Sequence, residues 1–167
     1  MEIAYIGLGS NLADPAAQVA RALIALADLP QTRCVRASRL YRSAPWGVRE
    51  QPAFVNAVAA LETVLAPRAL LEGLLAIERR AGRERGAERW GPRVLDLDLL
   101  LYGTQTVHEP GLNVPHPHLA ERAFVLVPLA EIAPGLQVPG AGPIERLLAG
   151  VDAAACLPLE PERSLAE

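Results

Sequence analysis

The chain contains no lysine: all 16 of its basic residues are arginines. This absence excludes a Walker-type phosphate loop, a Schiff-base lysine and a lysine nucleophile, because each of them needs that amine. Any phosphate chemistry here would depend on guanidinium groups and metal ions. The composition of the genome explains the same bias equally well, so the missing lysine does not by itself indicate a function.

Cysteine, long apolar runs and net charge are also scarce. The two cysteines, Cys34 and Cys156, lie far apart and are explained as small core residues. No apolar run approaches the roughly 20 residues that span a bilayer, and the chain does not open with a basic segment followed by an apolar one. A net charge of -3 gives no general attraction to nucleic acid or membranes. We therefore expect a cytoplasmic protein with neither as a partner.

The 167 residues, 51% of them hydrophobic, suit one domain over residues 1–167. Hydrophobic periodicity, proline and glycine predict strands over 2–8, 32–42, 54–63 and 93–102, and helices from Pro15 to near Pro30, from Pro67 to near Arg80, over about 119–132 and near 143–149. The order β-α-β-β-α-β predicts an α+β, ferredoxin-like sandwich: an antiparallel sheet, helices packed on it and a C-terminal helical extension. The last dozen residues are expected to form a loosely held tail.

Four local expectations accompany this fold. Gly9-Ser10-Asn11 is interpreted as a turn. A short strand near 104–108 is expected to pair with strand 93–102, and residues 113–118 are expected to be irregular. Pro128 conflicts with the third helix, since proline lacks the amide that a helix interior needs.

The clearest chemical pattern is Asp96-Leu97-Asp98, inside the predicted strand 93–102. Side chains alternate along a strand, so both carboxylates point one way while the neighbouring leucines point into the core. Two magnesium ions about 3.5–4 Å apart could bind between such carboxylates and bridge the phosphate oxygens of a substrate. The alternative is a half-buried strand whose solvent face carries two aspartates.

Arginines cluster just before this strand. Six of the 16 lie within fifteen residues: Arg79, Arg80, Arg83, Arg85, Arg89 and Arg93. Residues 81–92 have no predicted element, and stretches of that length inside compact domains are often functional lids. Guanidinium groups beside a metal site would neutralise charge on a polyphosphate during transfer. The alternative is a solvated basic loop.

Two weaker clusters remain. Pro45, Trp46, Phe54 and Asn56 combine apolar or planar surface with an amide that both donates and accepts, which suits a flat heterocycle. The same residues could equally be core aromatics and a strand-end cap. His116-Pro117-His118 does not favour zinc, because no further histidine or cysteine is nearby. A phosphate contact or a plain loop histidine fits it better.

The run RWGPRVLDLDLL at 89–100 resembles the signature of the 6-hydroxymethyl-7,8-dihydropterin pyrophosphokinase family of folate biosynthesis. The segments AYIGLGSNL, QPAFVNAVAALET, VPH and EIAP resemble the same family in the same order, so the resemblance covers roughly residues 3–135. It implies a ferredoxin-like monomer. That enzyme would transfer the β,γ-pyrophosphoryl group of ATP to the hydroxymethyl oxygen of 6-hydroxymethyl-7,8-dihydropterin and release AMP.

The resemblance also implies residue roles. Two Mg²⁺ ions would be held by Asp96 and Asp98, which form the catalytic set together with Arg83 and Arg93. ATP would be bound by Glu78, Arg83, Arg85, Arg93, Leu99, Asn113, His116 and Arg122. The pterin would contact Ser43, Ala44, Trp46, Phe54, Asn56, Trp90 and Phe124, and its ring would lie between the two phenylalanines.

Some positions depart from the family pattern. Gly111 stands where the family has an arginine facing ATP, and Phe54 stands where it has a tyrosine. Asn113 and Pro117 also differ near the nucleotide. These departures concern affinity more than chemistry, since the aspartate pair and both transfer arginines are present. The residues do not decide whether Asp98 or a metal-bound water takes the proton of the attacking hydroxyl.

Two other functions fit parts of the sequence. A nucleotidyltransferase is suggested by Gly-Ser followed by Asp-x-Asp, although the two motifs lie far apart in this chain. A non-catalytic ferredoxin-like module could instead sense a small ligand. In that module the aspartates would be dispensable and nucleotide would bind without magnesium.

Overall fold

The computed structural model of the protein describes residues 1–43, 53–82 and 94–159. Its strands are β1 (Glu2–Ser10), β2 (Thr32–Ala37), β3 (Tyr41–Ser43), β4 (Phe54–Thr63), β5 (Asp96–Tyr102), β6 (Val107–Glu109), β7 (Leu112–Val114), β8 (Gln137–Val138), β9 (Gly142–Pro143) and β10 (Cys156–Pro158). Its helices are α1 (Pro15–Ala27), α2 (Pro67–Arg80), α3 (Ala123–Ile132) and α4 (Ile144–Ala149), with short 3-10 turns at Leu119–Glu121 and Ala153–Ala155. Within these ranges no helix has the length and apolar character needed to cross a membrane.

Six strands form one sheet in the order β10-β3-β4-β1-β5, and β2 pairs with β4 beside β3. Every pairing in it is antiparallel. With α1 following β1 and α2 following β4, this is the β-α-β-β-α-β arrangement, so the predicted ferredoxin-like α+β fold is confirmed. Among the described strands, β5 lies at one edge of the sheet and β10 at the other.

The sheet separates two hydrophobic layers. On one face, Ile6 packs with Leu26 of α1 and Leu74 of α2. On the other face, Val58 of β4 packs with Leu126 of α3, and α4 adds to the same layer. Each fully buried side chain of this size stabilises the fold by about 1.5–3 kcal/mol. The α3 layer leaves part of its side of the sheet to the polar residues described below.

Proline and capping explain where the first two helices begin. Asp14 is the N-cap of α1 and accepts a hydrogen bond from the amide of Ala17 at 3.4 Å, and Pro15 occupies the first helical position. Pro67 starts α2 in the same way. The predicted starts of both helices and the predicted bounds of β4 are confirmed.

Two strand predictions were wrong in detail. Gly9 and Ser10 end β1 and do not form a turn, because β4 pairs with β1 as far as Ser10. The predicted strand 32–42 is two strands, because Ser38 interrupts it: its amide donates to the Val58 carbonyl at 2.8 Å and its hydroxyl accepts from the Val58 amide at 3.0 Å.

The region after β5 also differs. The strand expected near 104–108 to pair with β5 is β6, and it pairs with β7 in a hairpin that takes up part of the segment expected to be irregular. The third helix is divided at Arg122, which has extended backbone between a 3-10 turn and α3. Pro128 lies buried within α3, where the missing amide removes the bond to the Phe124 carbonyl.

The first four of the last dozen residues do not form the predicted loose tail. β10 pairs with β3, and Cys156 lies opposite Ser43 in that pairing. The amide of Leu159 donates to the Leu40 carbonyl at 2.9 Å. Residues 156–159 therefore belong to the sheet edge, and residues 160–167 lie outside the described part of the chain.

Candidate active site

A row of paired residues crosses the sheet on the side of α3. Asn56 of β4 pairs with Gly9 of β1, and Gly9 pairs on its other side with Asp96 of β5. Paired residues share a face, and Val58, two residues after Asn56, packs in the α3 layer. Neighbouring strands lie about 4.8 Å apart, so the Cα atoms of Asn56 and Asp96 are about 10 Å apart. Gly9 has no side chain, so it forms a flat floor between these two residues, and the Asn56 amide lies over that floor.

The two aspartates of β5 share this face. Asp96 and Asp98 are partly exposed, whereas Leu97 and Leu99 between and after them are buried in the opposite layer. The predicted alternation of side chains is therefore confirmed. The Asp98 side chain is 44% exposed, and Gly7, its partner on β1, again adds no side chain to the floor. Asp96 and Asp98 are two strand rises apart, about 6–7 Å.

This donor set fits magnesium better than a closed, all-protein metal cage. In residues 1–43, 53–82 and 94–159, no three His, Cys, Asp or Glu side chains gather closely enough to hold a metal. Mg²⁺ prefers oxygen ligands and is usually held by one or two carboxylates, with water and substrate phosphates completing its octahedron. Two partly exposed carboxylates on one face match that requirement.

Glu78 supports the aspartate strand from behind. Its residue is only 4% exposed, and its Oε2 accepts a hydrogen bond from the amide of Leu97 at 2.7 Å. Strands at a sheet edge have outward amides that need other partners, and this one lies between the two aspartates. A hydrogen bond to a charged acceptor contributes about 1.5–3 kcal/mol. Glu78 therefore links the end of α2 to the centre of the Asp-x-Asp motif.

His116 stands beside Asp98. Its amide donates to the Leu100 carbonyl at 2.9 Å, and its Nε2 lies 4.0 Å from Asp98 Oδ1. The amide of His118 donates to His116 Nδ1 at 3.2 Å, so Nδ1 is unprotonated and the neutral ring carries its hydrogen on Nε2. Burial lowers the pKa of His116, Asp98 partly offsets this, and the Arg122 and His118 charges lower it further. The ring is a neutral donor whose Nε2 faces Asp98.

Arg122 and Phe124 lie together at the start of α3. The Arg122 Cζ is 5.4 Å from the centroid of the Phe124 ring, within the range of a cation–π contact. Phe124 is partly buried against the α3 layer. The site therefore offers a guanidinium group and an aromatic ring at one helix end.

The β6–β7 hairpin carries two of the departures from the family pattern, Gly111 and Asn113. Asn113 is exposed, with its Oδ1 3.5 Å from Nδ1 of His108 across the hairpin. Gly111 has φ 74°, in the left-handed region, and a Cβ there would meet no atom within 4 Å. A glycine suits this turn because it adopts positive φ without steric cost.

The Asn56 end of the row is closely packed. Asn56 and Ser43 are 5% and 7% exposed, and Ser43 Oγ donates to Asn56 Oδ1 at 2.6 Å. Phe54 pairs with Ser43 and is partly buried on the same face. A Cβ added to Gly9 would lie 3.0 Å from Asn56 Nδ2. The amide is therefore enclosed between a hydroxyl on one side and a glycine on the other.

The predicted site residues thus fall into separate groups. The structure brings Asp98 and His116 together beside Asp96, and it brings Ser43 and Asn56 together beside Phe54. It does not place the Leu99 side chain on this face, since that side chain is buried in the α1–α2 layer. Six predicted residues lie outside the described residues: Ala44, Trp46, Arg83, Arg85, Trp90 and Arg93. Most of the predicted loop 81–92 lies there too.

Sequence reasoning missed the two glycines of the floor. Gly9 was predicted to lie in a turn, but both glycines lie within β1, where the Leu100 side chain covers Gly7 and the Asn56 amide covers Gly9. The available signal was their spacing of two inside an apolar run. Two alternate glycines in a strand mark one face where a ligand or another backbone can approach closely.

The chain is similar to known proteins along most of its length. A family model described as 7,8-dihydro-6-hydroxymethylpterin-pyrophosphokinase (HPPK) matches residues 5–134. A Pseudomonas aeruginosa relative named 2-amino-4-hydroxy-6-hydroxymethyldihydropteridine pyrophosphokinase is 54% identical over 145 residues, covering 87% of this chain and 89% of its own. A Methylorubrum extorquens relative with the same name is 51% identical over 140 residues, covering 84% and 88%.

One similar solved structure is that of wild-type Plasmodium falciparum HPPK-DHPS with pteroate. It superposes with a TM-score of 0.71 at 13% sequence identity, covering 89% of this chain. The present chain corresponds to 44% of that longer protein. At this identity the superposition shows a shared fold and nothing more.

Proposed function

The chain belongs to the 7,8-dihydro-6-hydroxymethylpterin-pyrophosphokinase family, and on that premise we propose that it transfers the β,γ-pyrophosphoryl group of ATP to 6-hydroxymethyl-7,8-dihydropterin. The products are AMP and the pterin diphosphate of tetrahydrofolate biosynthesis. The row across the sheet carries the proposal: the Cα atoms of Asn56 and Asp96 lie about 10 Å apart, with Gly9 paired between them. A flat ring over that floor, held at the amide, presents its hydroxymethyl group toward the aspartates.

Asp96 and Asp98 are the proposed ligands of two Mg²⁺ ions. Their shared face and partial exposure support this role, as does the absence of a third acidic, histidine or cysteine ligand among the described residues. When bound, magnesium neutralises phosphate oxygens and orients the polyphosphate. Glu78 holds the strand between the two ligands through the Leu97 amide.

The remaining groups position the phosphates. His116 donates from its neutral Nε2 beside Asp98, and the Arg122 guanidinium adds positive charge at the start of α3. Arg83 and Arg93 are assigned to the transferred phosphates by the family resemblance. In this reaction class the protein supplies positioning and charge stabilisation, with little covalent chemistry of its own. The described site accordingly needs no activated nucleophile.

The heterocycle end is proposed to bind the pterin. Phe54 and Phe124 supply the aromatic surfaces, and Asn56 supplies hydrogen bonds to the ring edge. Ser43 contributes through Asn56. Ala44, Trp46 and Trp90 join this set by resemblance, and Arg85, Leu99 and Asn113 join the nucleotide set in the same way, with Leu99 restricted to its backbone.

A chromatographic assay of nucleotide products tests the proposal. With Mg-ATP and 6-hydroxymethyl-7,8-dihydropterin, we expect AMP to appear one-for-one with a diphosphorylated pterin. Chelation of magnesium should abolish turnover, and its return should restore it. ADP would instead identify a simple kinase, and pyrophosphate with an adenylylated product a nucleotidyltransferase. Ligand binding without turnover would identify a sensing module.

The proposal also covers domain organisation, oligomeric state and location in the cell. We propose that residues 1–167 act as one catalytic domain, as a monomer, in the cytoplasm. Elution from a sizing column at the 17.8 kDa of one chain is the expected result. Elution at twice that mass would overturn the monomer.

A further inference from the structure

Among the described residues, the Asn56 side chain has a hydrogen-bond partner at one end only. Its Oδ1 accepts from Ser43 Oγ at 2.6 Å, and both residues are almost fully buried. That length is typical of an O–H···O bond, whereas N–H···O bonds are usually near 2.9–3.0 Å. Serine is therefore the donor, and the amide oxygen is the group that it engages.

The other end of the amide faces the glycine floor. The position that a Cβ would take on Gly9 is 3.0 Å from Asn56 Nδ2. No described residue makes a hydrogen bond to Nδ2, and no described buried side-chain nitrogen or oxygen lacks a partner. Nδ2 is therefore accessible, and it points along the row that leads from β4 toward Asp96.

These contacts determine which way the Asn56 amide is oriented. An asparagine amide has an acceptor end and a donor end that occupy nearly the same volume. We propose that Ser43 is a positioning residue that fixes the Asn56 amide with its NH₂ group over Gly9, so that the site selects a heterocycle with an acceptor at that edge. This inference rests on the proposed pterin substrate. It adds that the orientation of the Asn56 amide determines which heterocycles bind.

Pterin meets that requirement with its 4-oxo group. The matching analogue is 2,4-diamino-6-hydroxymethyl-7,8-dihydropteridine, which has the same shape but replaces the carbonyl acceptor with an amino donor. A site built around one buried hydrogen bond rejects an analogue that leaves it unmade. If the Asn56 amide could rotate freely, its oxygen would accept a hydrogen bond from the 4-amino group of the analogue. The site would then bind the analogue more tightly and discriminate less against it.

The test compares binding of the two heterocycles to wild-type, Ser43→Ala and Ser43→Thr proteins, each checked for a cooperative thermal transition. Fluorescence titration in the presence of a non-hydrolysable ATP analogue gives both dissociation constants without turnover. We expect Ser43→Ala to reduce the pterin-over-diamino selectivity about tenfold, or about 1.4 kcal/mol. Ser43→Thr keeps the hydroxyl and should keep the selectivity. Affinity for the ATP analogue should be the same in all three proteins.

Three results with the variants would overturn the inference. Equal weakening of both heterocycles in Ser43→Ala would show a role in packing only. Unchanged selectivity in that variant would show that the amide is oriented by something else, and Ser43→Thr behaving like Ser43→Ala would show that the hydroxyl is irrelevant. If wild type binds neither heterocycle, this inference and the proposed function both fail. If it binds them selectively without releasing AMP, only the proposed function fails.

Discussion

The two ends of the candidate site differ in how far they are formed before any ligand binds. At the heterocycle end, Asn56 and Ser43 are almost fully buried and joined by a 2.6 Å hydrogen bond. At the phosphate end, the Asp98 side chain is 44% exposed, and the 4.0 Å between its Oδ1 and His116 Nε2 is longer than a hydrogen bond. A neutral ring can be recognised by a pocket that already exists, whereas a solvated carboxylate such as that of Asp98 can turn toward an ion when it binds.

The difference follows from position in the sheet. Asn56 lies on β4, which has neighbouring strands on both sides, and its partners are held by two ladders. Asp96 and Asp98 lie on β5, at the edge among the described strands. Substitutions of these two aspartates should therefore change turnover with little effect on folding. Substitutions at the heterocycle end should change pterin affinity and stability together.

Asp98→Ala should have the largest effect on activity. Removal of one of two metal ligands should lower kcat well over a hundredfold, about 3 kcal/mol of transition-state stabilisation. Because the side chain is partly exposed, the thermal midpoint should move little. AMP release at saturating substrates and a thermal melt measure the two quantities.

The matched control is Asp28→Ala. Asp28 is an exposed aspartate that follows α1, on the other side of the sheet. It should leave turnover unchanged. Near-native turnover in Asp98→Ala would remove Asp98 from the metal site.

Substitutions of Glu78 test whether activity depends on its buried hydrogen bond to the aspartate strand. Glu78→Leu keeps most of the volume but leaves the Leu97 amide without its acceptor, at a cost of about 1–3 kcal/mol in the free energy of unfolding. We expect kcat/KM to fall about tenfold, because the strand between the aspartates loses its anchor. Hydrogen exchange at the Leu97 amide should accelerate.

Glu78→Gln provides the comparison. Its amide oxygen can still accept from Leu97, so it should retain most of the activity and the slow exchange. If Gln loses as much activity as Leu while the Leu97 amide stays protected, the negative charge of Glu78 acts on the nucleotide directly.

Local sequence determines the parts of the fold that were predicted well. The Asp14-Pro15 pair, Pro67 and the alternation in Asp96-Leu97-Asp98 each act within a few residues, and each was confirmed. Contacts between distant residues decide the rest. Gly9-Ser10 has the composition of a turn, yet its pairing with Asn56 and Val55 makes it a strand.

The candidate site shows the same division. The resemblance named Ser43, Asn56 and Glu78, but their mutual contacts are not visible in the linear sequence. Glu78 and Leu97 are separated by 19 positions, and Ser43 and Asn56 by 13. Their hydrogen bonds exist only because α2 packs against β5 and because β3 pairs with β4.

Gly9→Ala tests whether pterin binding depends on the position of the Asn56 amide. The new methyl group would lie 3.0 Å from Asn56 Nδ2, closer than van der Waals contact allows, so the amide must shift. We expect the pterin KM to rise about fivefold to tenfold, the cost of weakening one hydrogen bond. The dissociation constant of an ATP analogue should change less.

Gly7→Ala is the nearest control on the same strand face. Its methyl group would meet the Leu100 side chain at 3.4 Å, an ordinary van der Waals contact. It should leave the pterin KM near that of wild type. If the pterin KM rose equally in both variants, the absence of side chains at both glycines would matter for binding. The contact between Gly9 and Asn56 would then have no separate role.

The smallest effect concerns a thiol that reports on the heterocycle end without taking part in it. Cys156 of β10 lies opposite Ser43, and burial raises the pKa of its thiol to about 11. At pH 8 only about one molecule in a thousand then carries the reactive thiolate.

The labelling experiment uses Cys34→Ser protein, in which Cys156 is the single thiol. We expect this thiol to react slowly with an aromatic disulfide reagent, and a few-fold more slowly still when pterin and an ATP analogue are bound. The complementary Cys156→Ser protein should react faster, because Cys34 is only partly buried on β2. Fast labelling of Cys156 with no ligand effect would mean that β10 often leaves β3, and the heterocycle end would then be no more preformed than the phosphate end.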